Sequence, residues 1–163
     1  MMSIGLLSDT HGNLDDRLLP FFDDCDEIWH AGDIGHVGVY HELERLKPVR
    51  AVYGNIDGHD IRSFIKASER FFCEEVDVWL THIGGYPGKY DRSVKTELFE
   101  NPPDLFICGH SHILKVMHDE KLSLLHINPG AAGKYGFHQV RTAVRFKISG
   151  KRIHDLQVLE LKK

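Results

Sequence analysis

Leu105-Phe106-Ile107-Cys108-Gly109-His110-Ser111-His112 runs four apolar residues into a glycine and then places two histidines two positions apart. An apolar run that ends in imidazoles serves more than packing, because histidine is a common metal ligand. The same grammar recurs along the chain. Ile4–Leu7 ends at Ser8-Asp9-Thr10-His11-Gly12, Glu27–His30 at Ala31-Gly32-Asp33, and Val49–Tyr53 at Gly54-Asn55. Val76–Leu80 ends at Thr81-His82, and Leu122–Ile127 at Asn128-Pro129-Gly130. Six runs of strand length, each closed by a turn residue, define the framework.

Helical patterns are predicted between them. Leu14–Phe22 has Asn13 placed as an N-cap and Asp15 and Asp16 for its first turn, with Pro20 as a kink. Val37–Leu46 carries a stripe of Val37, Tyr40, His41, Leu43 and Leu46, and Pro48 blocks its continuation. Asp91–Phe99 is a third helix, closed by Pro102-Pro103, and residues 58–67 a short fourth. Alternating strands and helices in the first half imply right-handed crossovers and parallel pairing. The second half reads as hairpins: Arg70–Leu80, Val116–Ile127, and Thr142–Leu161 around Ser149-Gly150-Lys151. Two packed sheets with outer helices account for both halves, within a single domain spanning residues 1–163.

Composition narrows the function classes. A chain that is 42% hydrophobic and 27% charged buries a core and stays soluble. A net charge of −4 with scattered Lys and Arg argues against a nucleic-acid partner. No apolar stretch approaches the roughly 18 residues that span a bilayer, and residues 1–7 lack the basic flank of a signal peptide. Three cysteines without a pairing pattern read as reduced thiols. The expectation is a cytoplasmic protein with no membrane partner.

In open α/β sheets ligands bind beyond the carboxyl ends of the strands. Asp9, His11, Asp33, Asn55, His82, His110 and His112 all lie at such ends. Residues two apart in extended chain point the same way, which would let Asp9 and His11, and His110 and His112, converge in pairs. Seven donors exceed the coordination of one ion and suit two ions sharing a carboxylate. A nitrogen-rich set without thiolate favours Mn, Fe, Co, Ni or Zn over Mg or Ca. Two divalent ions against two Asp leave a positive surplus, fitted to an anion and to in-line displacement at phosphorus.

Asp9-x-His11, Gly32-Asp33, Gly54-Asn55, His82 and Gly109-His110-x-His112, in that order, resemble the calcineurin-like metallophosphoesterase superfamily. The resemblance is to its small single-domain bacterial and archaeal phosphodiesterases, a branch that includes the retromer-subunit relatives of eukaryotes. It implies a four-layer αββα sandwich of two mixed β-sheets flanked by helices. It also implies one metal on Asp9, His11 and His112, another on Asn55, His82 and His110, Asp33 bridging them, and a metal-bridging hydroxide as nucleophile. Catalysis would then run through Asp33, Asn55 and His82 on a small phosphodiester, with Mn as the favoured metal. Related small enzymes often self-associate, which leaves a homo-oligomer open. The rival readings are a non-catalytic scaffold of retromer-subunit type and a nuclease.

One position departs from the pattern. Many relatives follow the metal-binding Asn with a His that protonates the leaving oxygen; here Ile56 follows Asn55. His59 is a candidate stand-in, and His138, after Gly136-Phe137, a candidate for contact with substrate phosphate. His30, His36, His41, His118, His126 and His154 read as core or surface residues, and Cys108 as a buried small residue without a nucleophile's partners. Gly84-Gly85-Tyr86-Pro87-Gly88 reads as a mobile loop beside His82 that helps select substrate, with Tyr86, Tyr90, Tyr135 and Phe137 as aromatic candidates.

Overall fold

The computed structural model describes residues 1–163. Its first sheet has strands β1 (Met2–Leu7), β2 (Glu27–His30), β3 (Val49–Ala51), β11 (Val140–Ser149) and β12 (Arg152–Lys162), in the order β12-β11-β1-β2-β3. The second has β4 (Ser68–Cys73), β5 (Val76–Thr81), β8 (Leu105–Ile107), β9 (Leu114–Asp119) and β10 (Leu124–Pro129), in the order β4-β5-β8-β10-β9. Both sheets are mixed. β1, β2 and β3 pair in parallel, as do β5, β8 and β10, while the hairpin partners run antiparallel. Two mixed five-stranded sheets with helices outside them are the expected four-layer sandwich.

Strand alternation sorts the side chains into layers. Ile4, Leu6, Trp29, Val78, Leu80, Leu105 and Ile107 meet between the sheets. Leu7 and Ile28 point the other way, against α1 (Leu18–Phe22), α2 (Val37–Leu46) and α3 (His59–Arg62). Trp79, Phe106 and Cys108 cover the outer face of the second sheet with α4 (Arg92–Glu100). Strands buried on both faces are why the runs are continuously apolar.

Helix boundaries contain the corrections. The first helix starts at Leu18, after Arg17, which makes no side-chain capping bond, and not at Leu14 with Asn13 as cap. Asp15 is engaged elsewhere: it accepts from Arg17 and from the buried Arg141 of β11. Pro20 then falls in the first turn, where a missing N–H costs nothing and no kink is needed. α2 has the expected bounds but buries Val39 and Leu43 and leaves His41 exposed. α3 is only a single turn, His59–Arg62, well short of the expected 58–67 segment. The 84–88 segment is not a free loop: β6 (Gly85–Tyr86) and β7 (Lys89–Tyr90) form a two-stranded hairpin, tied by the Asp91 amide to the Gly84 carbonyl.

Candidate metal centre

β1, β2, β5 and β8 all end at one rim, which brings distant polar side chains together. Asp9, His11 and His112 gather in one cluster and Asp33, His82 and His110 in a second; within each, the donor atoms lie within 4.8 Å of one another. The Asp33 Oδ2 stands 3.5 Å from His11 Nε2 of the first cluster and 3.3 Å from His82 Nε2 of the second. The Asp9 Oδ1 is 3.3 Å from His112 Nε2 and 3.7 Å from His11 Nε2. Asn55 sits at the exposed edge, its Oδ1 3.1 Å from His110 Nδ1. All seven expected residues are therefore at one place.

The route to convergence differs from simple strand alternation. Asp9, His11, Asp33, His110 and His112 have φ between 48° and 75°, five of the eight non-glycine residues in the left-handed region. This conformation is uncommon outside glycine but enriched in Asp and His, and such strain gathers at functional sites. The pairs converge because tight turns follow β1 and β8, not because extended backbone continues through them.

Backbone lacing fixes these turns. The amides of Asp9, His11 and Gly12 donate to the carbonyls of Gly32, Asp33 and Ile34 at 2.9, 3.0 and 2.8 Å. The Gly109 amide donates to the His82 carbonyl at 2.8 Å. Asn128 Nδ2 donates to the Gly109 carbonyl and to Ser111 Oγ, both at 3.0 Å, so the Asn-Pro-Gly turn shapes the histidine loop. Gly54 is required because a Cβ there would overlap Asp33 Oδ1 and the Asp33 amide.

A further layer orients the donors. Ser8 Oγ donates to Asp9 Oδ2 at 2.6 Å, and the Ile56 amide donates to Asp33 Oδ1 at 3.1 Å, leaving the other oxygen of each carboxylate toward the site. His82 Nδ1–H donates to the Ala31 carbonyl at 2.7 Å, which fixes its Nε2 as the lone-pair atom. Buried Asp57 accepts from the amides of Ile34, Gly35 and Gly54 and pins the β2 and β3 loops together. His30 is a core residue bonded to Thr10 Oγ1 and the Gly32 amide, and burial pushes it down to about 4. Ser8 and Thr10 were not singled out from the sequence. They alternate with Asp9 and His11, and strand alternation assigns them to the opposite face.

Burial opposes charge on Asp9, but the neighbouring His11 and His112 rings hold its carboxyl well below the usual carboxylate range. Burial likewise opposes charge on Asp33, outweighed by His82 beside it, and the same Asp33 contact raises His82 against its own burial. Asp9 Oδ1, His11 Nε2 and His82 Nε2 are buried without any hydrogen-bond partner. Unpartnered buried donors and acceptors are costly, and these converge on one space lined by carboxylate and imidazole. That is the chemistry of a divalent transition-metal site, so the residues fit such an ion.

Residues 2–151 match the family model of the calcineurin-like phosphoesterase superfamily domain. The chain belongs to this superfamily. A probable metallophosphoesterase of Methanothermobacter thermautotrophicus is 34% identical over 136 residues, covering 80% of this chain and 77% of that protein. Among solved structures, an archaeal phosphodiesterase is 26% identical at a TM-score of 0.73, covering 97% of this chain and 100% of its own. Vps29 of Entamoeba histolytica is 17% identical at a TM-score of 0.77, covering 99% of each chain, and shares the fold. Family and donor clusters together make this a metal-binding phosphoesterase.

The remaining candidates spread around the site. His138 reaches its edge: its ring stands 5.1 Å from His112, its Nε2–H donates to the Gly133 carbonyl at 2.8 Å, and its Nδ1 is buried and unpartnered. Tyr135 stacks on His11 at 5.0 Å between centroids. His59 is exposed at the start of α3 and makes no side-chain hydrogen bond to the site. Cys25, Cys73 and Cys108 are buried free thiols, and burial pushes Cys108 up to about 12, which removes it as a nucleophile.

Proposed function

We propose that this chain is a metal-dependent phosphodiesterase that uses two divalent cations. The observation that carries the reading is the Asp33 carboxylate, 3.5 Å from His11 and 3.3 Å from His82, where one oxygen can serve two neighbouring sites. Asp9, His11 and His112 would hold one cation, and Asn55, His82 and His110 the other, with Asp33 shared. When bound, such a pair lowers the pKa of water towards neutrality and neutralises charge developing on phosphoryl oxygens.

The chain's own groups prepare the site for that chemistry. Ser8 and the Ile56 amide orient the two carboxylates, and the Ala31 carbonyl holds His82 in its ligating tautomer. Two Asp against two divalent cations leave a positive surplus that attracts a phosphodiester anion. The Asn55 side chain is exposed and its Oδ1 is paired with His110 Nδ1, which leaves its amide nitrogen free to donate to a phosphoryl oxygen. His138 borders the same space.

Diester rather than monoester chemistry is supported by Ile56, an apolar residue 47% exposed at the site where a proton donor would serve a poor leaving group. It is also supported by the 26% identical archaeal phosphodiesterase. Manganese fits the nitrogen- and oxygen-rich donor set, and the three buried free thiols fit a cytoplasmic setting.

The test begins with protein stripped by chelator. Reconstitution with Mn should restore two ions per chain and hydrolysis of bis-p-nitrophenyl phosphate, faster than that of p-nitrophenyl phosphate. Protein that binds no metal and stays inert after reconstitution would fit a partner-holding scaffold and overturn the reading.

A further inference from the structure

A second cavity, of about 200 Å³, lies behind the histidine turn, between the outer face of the second sheet and the β6–β7 hairpin. Ser111 lines this cavity, and its sequence neighbours His110 and His112 belong to the metal centre. Tyr86 and Ile113 stand exposed at its mouth, Lys115 lines its side, and His126 forms part of its floor. Sequence alone placed His126 in the core and gave it no role.

His126 is fully buried, yet its Nε2 has no hydrogen-bond partner. Its Nδ1–H donates to the Phe106 carbonyl at 3.2 Å, which leaves the Nε2 lone pair as a spare acceptor on a ring that lines the cavity. Burial keeps the ring neutral, pushing it down to about 4, and the nearby Lys115 adds to the effect. A buried acceptor without a donor is rare in a folded core and calls for one from a ligand. The Lys115 ammonium sits 4.4 Å from the Tyr86 ring centroid, so a cation and an aromatic surface stand together at the entrance. Ser111 Oγ already accepts from Asn128 Nδ2 and the Ile113 amide, which leaves its hydroxyl proton free to donate.

We infer that this cavity is a specificity subsite for a planar heterocycle bearing an N–H beside a carbonyl, that is, an oxo-nucleobase carried by the phosphodiester substrate. The N–H donates to His126 Nε2, the carbonyl accepts from Lys115 or Ser111, and the ring packs against Tyr86. Aromatic side chains and polar groups at fixed positions are the usual means of recognising such rings. The volume is below that of pockets for whole drug-sized ligands, so it takes one ring system and leaves the phosphate across Ser111. The inference rests on the phosphodiesterase reading, whose substrate class it names.

The experiment compares two diesters with the same leaving group, thymidine 5′-(p-nitrophenyl phosphate) and methyl p-nitrophenyl phosphate, on the Mn-loaded protein. The nucleotide ester should be favoured in kcat/KM by about tenfold or more, the worth of a stacked and hydrogen-bonded ring, through a lower KM. Tyr86→Ala and His126→Phe should each shrink that ratio severalfold; Tyr86 is on the surface, so its variant folds even where the core change does not. Calorimetry gives an independent readout: thymidine 5′-monophosphate should bind tighter than 2-deoxyribose 5-phosphate, and Tyr86→Ala should erase the difference. Equal kcat/KM for the two esters, or equal affinity for the two phosphates, would mean that the cavity holds only water and would overturn the subsite. Failure to cleave either ester would sink the phosphodiesterase reading, while the calorimetry still decides the subsite.

Discussion

Asp33 and His82, from loops 49 residues apart in the sequence, meet at 3.3 Å between Oδ2 and Nε2, both almost fully buried. His82 also spends its Nδ1 proton on the Ala31 carbonyl, and Asp33 its Oδ1 on the Ile56 amide, so neither side chain has another place to turn. Asp33→Asn keeps the shape but removes the shared charge. The expected result is loss of about one metal ion per chain by elemental analysis and a fall in diesterase activity of at least ~100-fold, beyond the 10–100-fold typical of residues that only support a ligand. Retention of both ions and of activity would show that Asp33 does not bridge.

Asp57 organises the site without reaching it. Its carboxylate accepts three backbone amides, from Ile34 at 3.1 Å, Gly35 at 2.8 Å and Gly54 at 2.8 Å. Asp57→Ala orphans the Ile34 and Gly54 N–H groups, whose bonds are buried, and leaves Gly35 to solvent, and each charge-assisted bond is worth about 1.5–3 kcal/mol. Denaturant unfolding should show a loss of roughly 3 kcal/mol or more, with weaker metal binding because the Asp33 and Asn55 loops separate. Asp57→Asn, which keeps two acceptor lone pairs, should fall between. Unchanged stability in Asp57→Ala would refute the clamp.

Gly54 makes a sharper test of close approach. A Cβ at this position would overlap the Asp33 carboxylate and amide, both parts of a laced loop that cannot recede. Gly54→Ala should reduce metal stoichiometry while far-UV circular dichroism stays near that of the parent, since Gly54 lies outside β3. Normal metal loading would show that the loop yields.

The sequence was most informative where physics is local. All six apolar runs became strands with both ends within two residues of their expected bounds, Leu122–Ile127 shifting furthest, to Leu124–Pro129. A strand buried on both faces must be apolar throughout, and a glycine or Asp must end it. Leu14–Phe22 failed because Asp15 reads as a first-turn helix residue, whereas its partner Arg141 lies 126 positions away. No local pattern carries that ion pair. The convergence of the seven candidate ligands was legible because each follows a strand, but the left-handed backbone at Asp9 and His110 was not, since it depends on lacing to loops elsewhere. The unpartnered Nε2 of His126 was equally hidden: it depends on how the β6–β7 hairpin folds over the sheet.

Acid should weaken the metal-free protein in a defined window. His30 and His126 are buried neutral, and burial pushes both down to about 4. In the unfolded chain they take up protons near pH 6.5, so the unfolded state binds more protons between about 6.5 and 4. Stability is therefore full above pH 6.5 and falls as pH drops towards 4, by up to roughly 3 kcal/mol for each ring. His82 has the opposite sign, because Asp33 and Asp9 raise it despite burial; its contribution is complete below 6.5 and lost as pH rises through its folded value. Urea unfolding in chelator across pH 4–8 should show a maximum near 6.5, and His126→Phe should remove about half of the acid-side slope. A flat acid limb would mean that these rings titrate normally.

Ile56 governs how the reaction handles its leaving group. Its side chain is 47% exposed beside Asn55, and its amide is committed to Asp33 Oδ1. Isoleucine has no proton to give, and general acids contribute about 10²–10⁴-fold. Across a series of aryl methyl phosphates, kcat/KM should fall steeply as the leaving-group pKa rises. Ile56→His retains the backbone bond to Asp33 and puts an imidazole where the isoleucine projects. It should flatten the dependence and raise turnover of the poorest leaving groups, with a new basic limb in the pH–rate profile as the imidazolium deprotonates. A shallow dependence in the parent protein would instead place the proton donor elsewhere, and His59→Ala and His138→Ala would then show which histidine supplies it by steepening the slope.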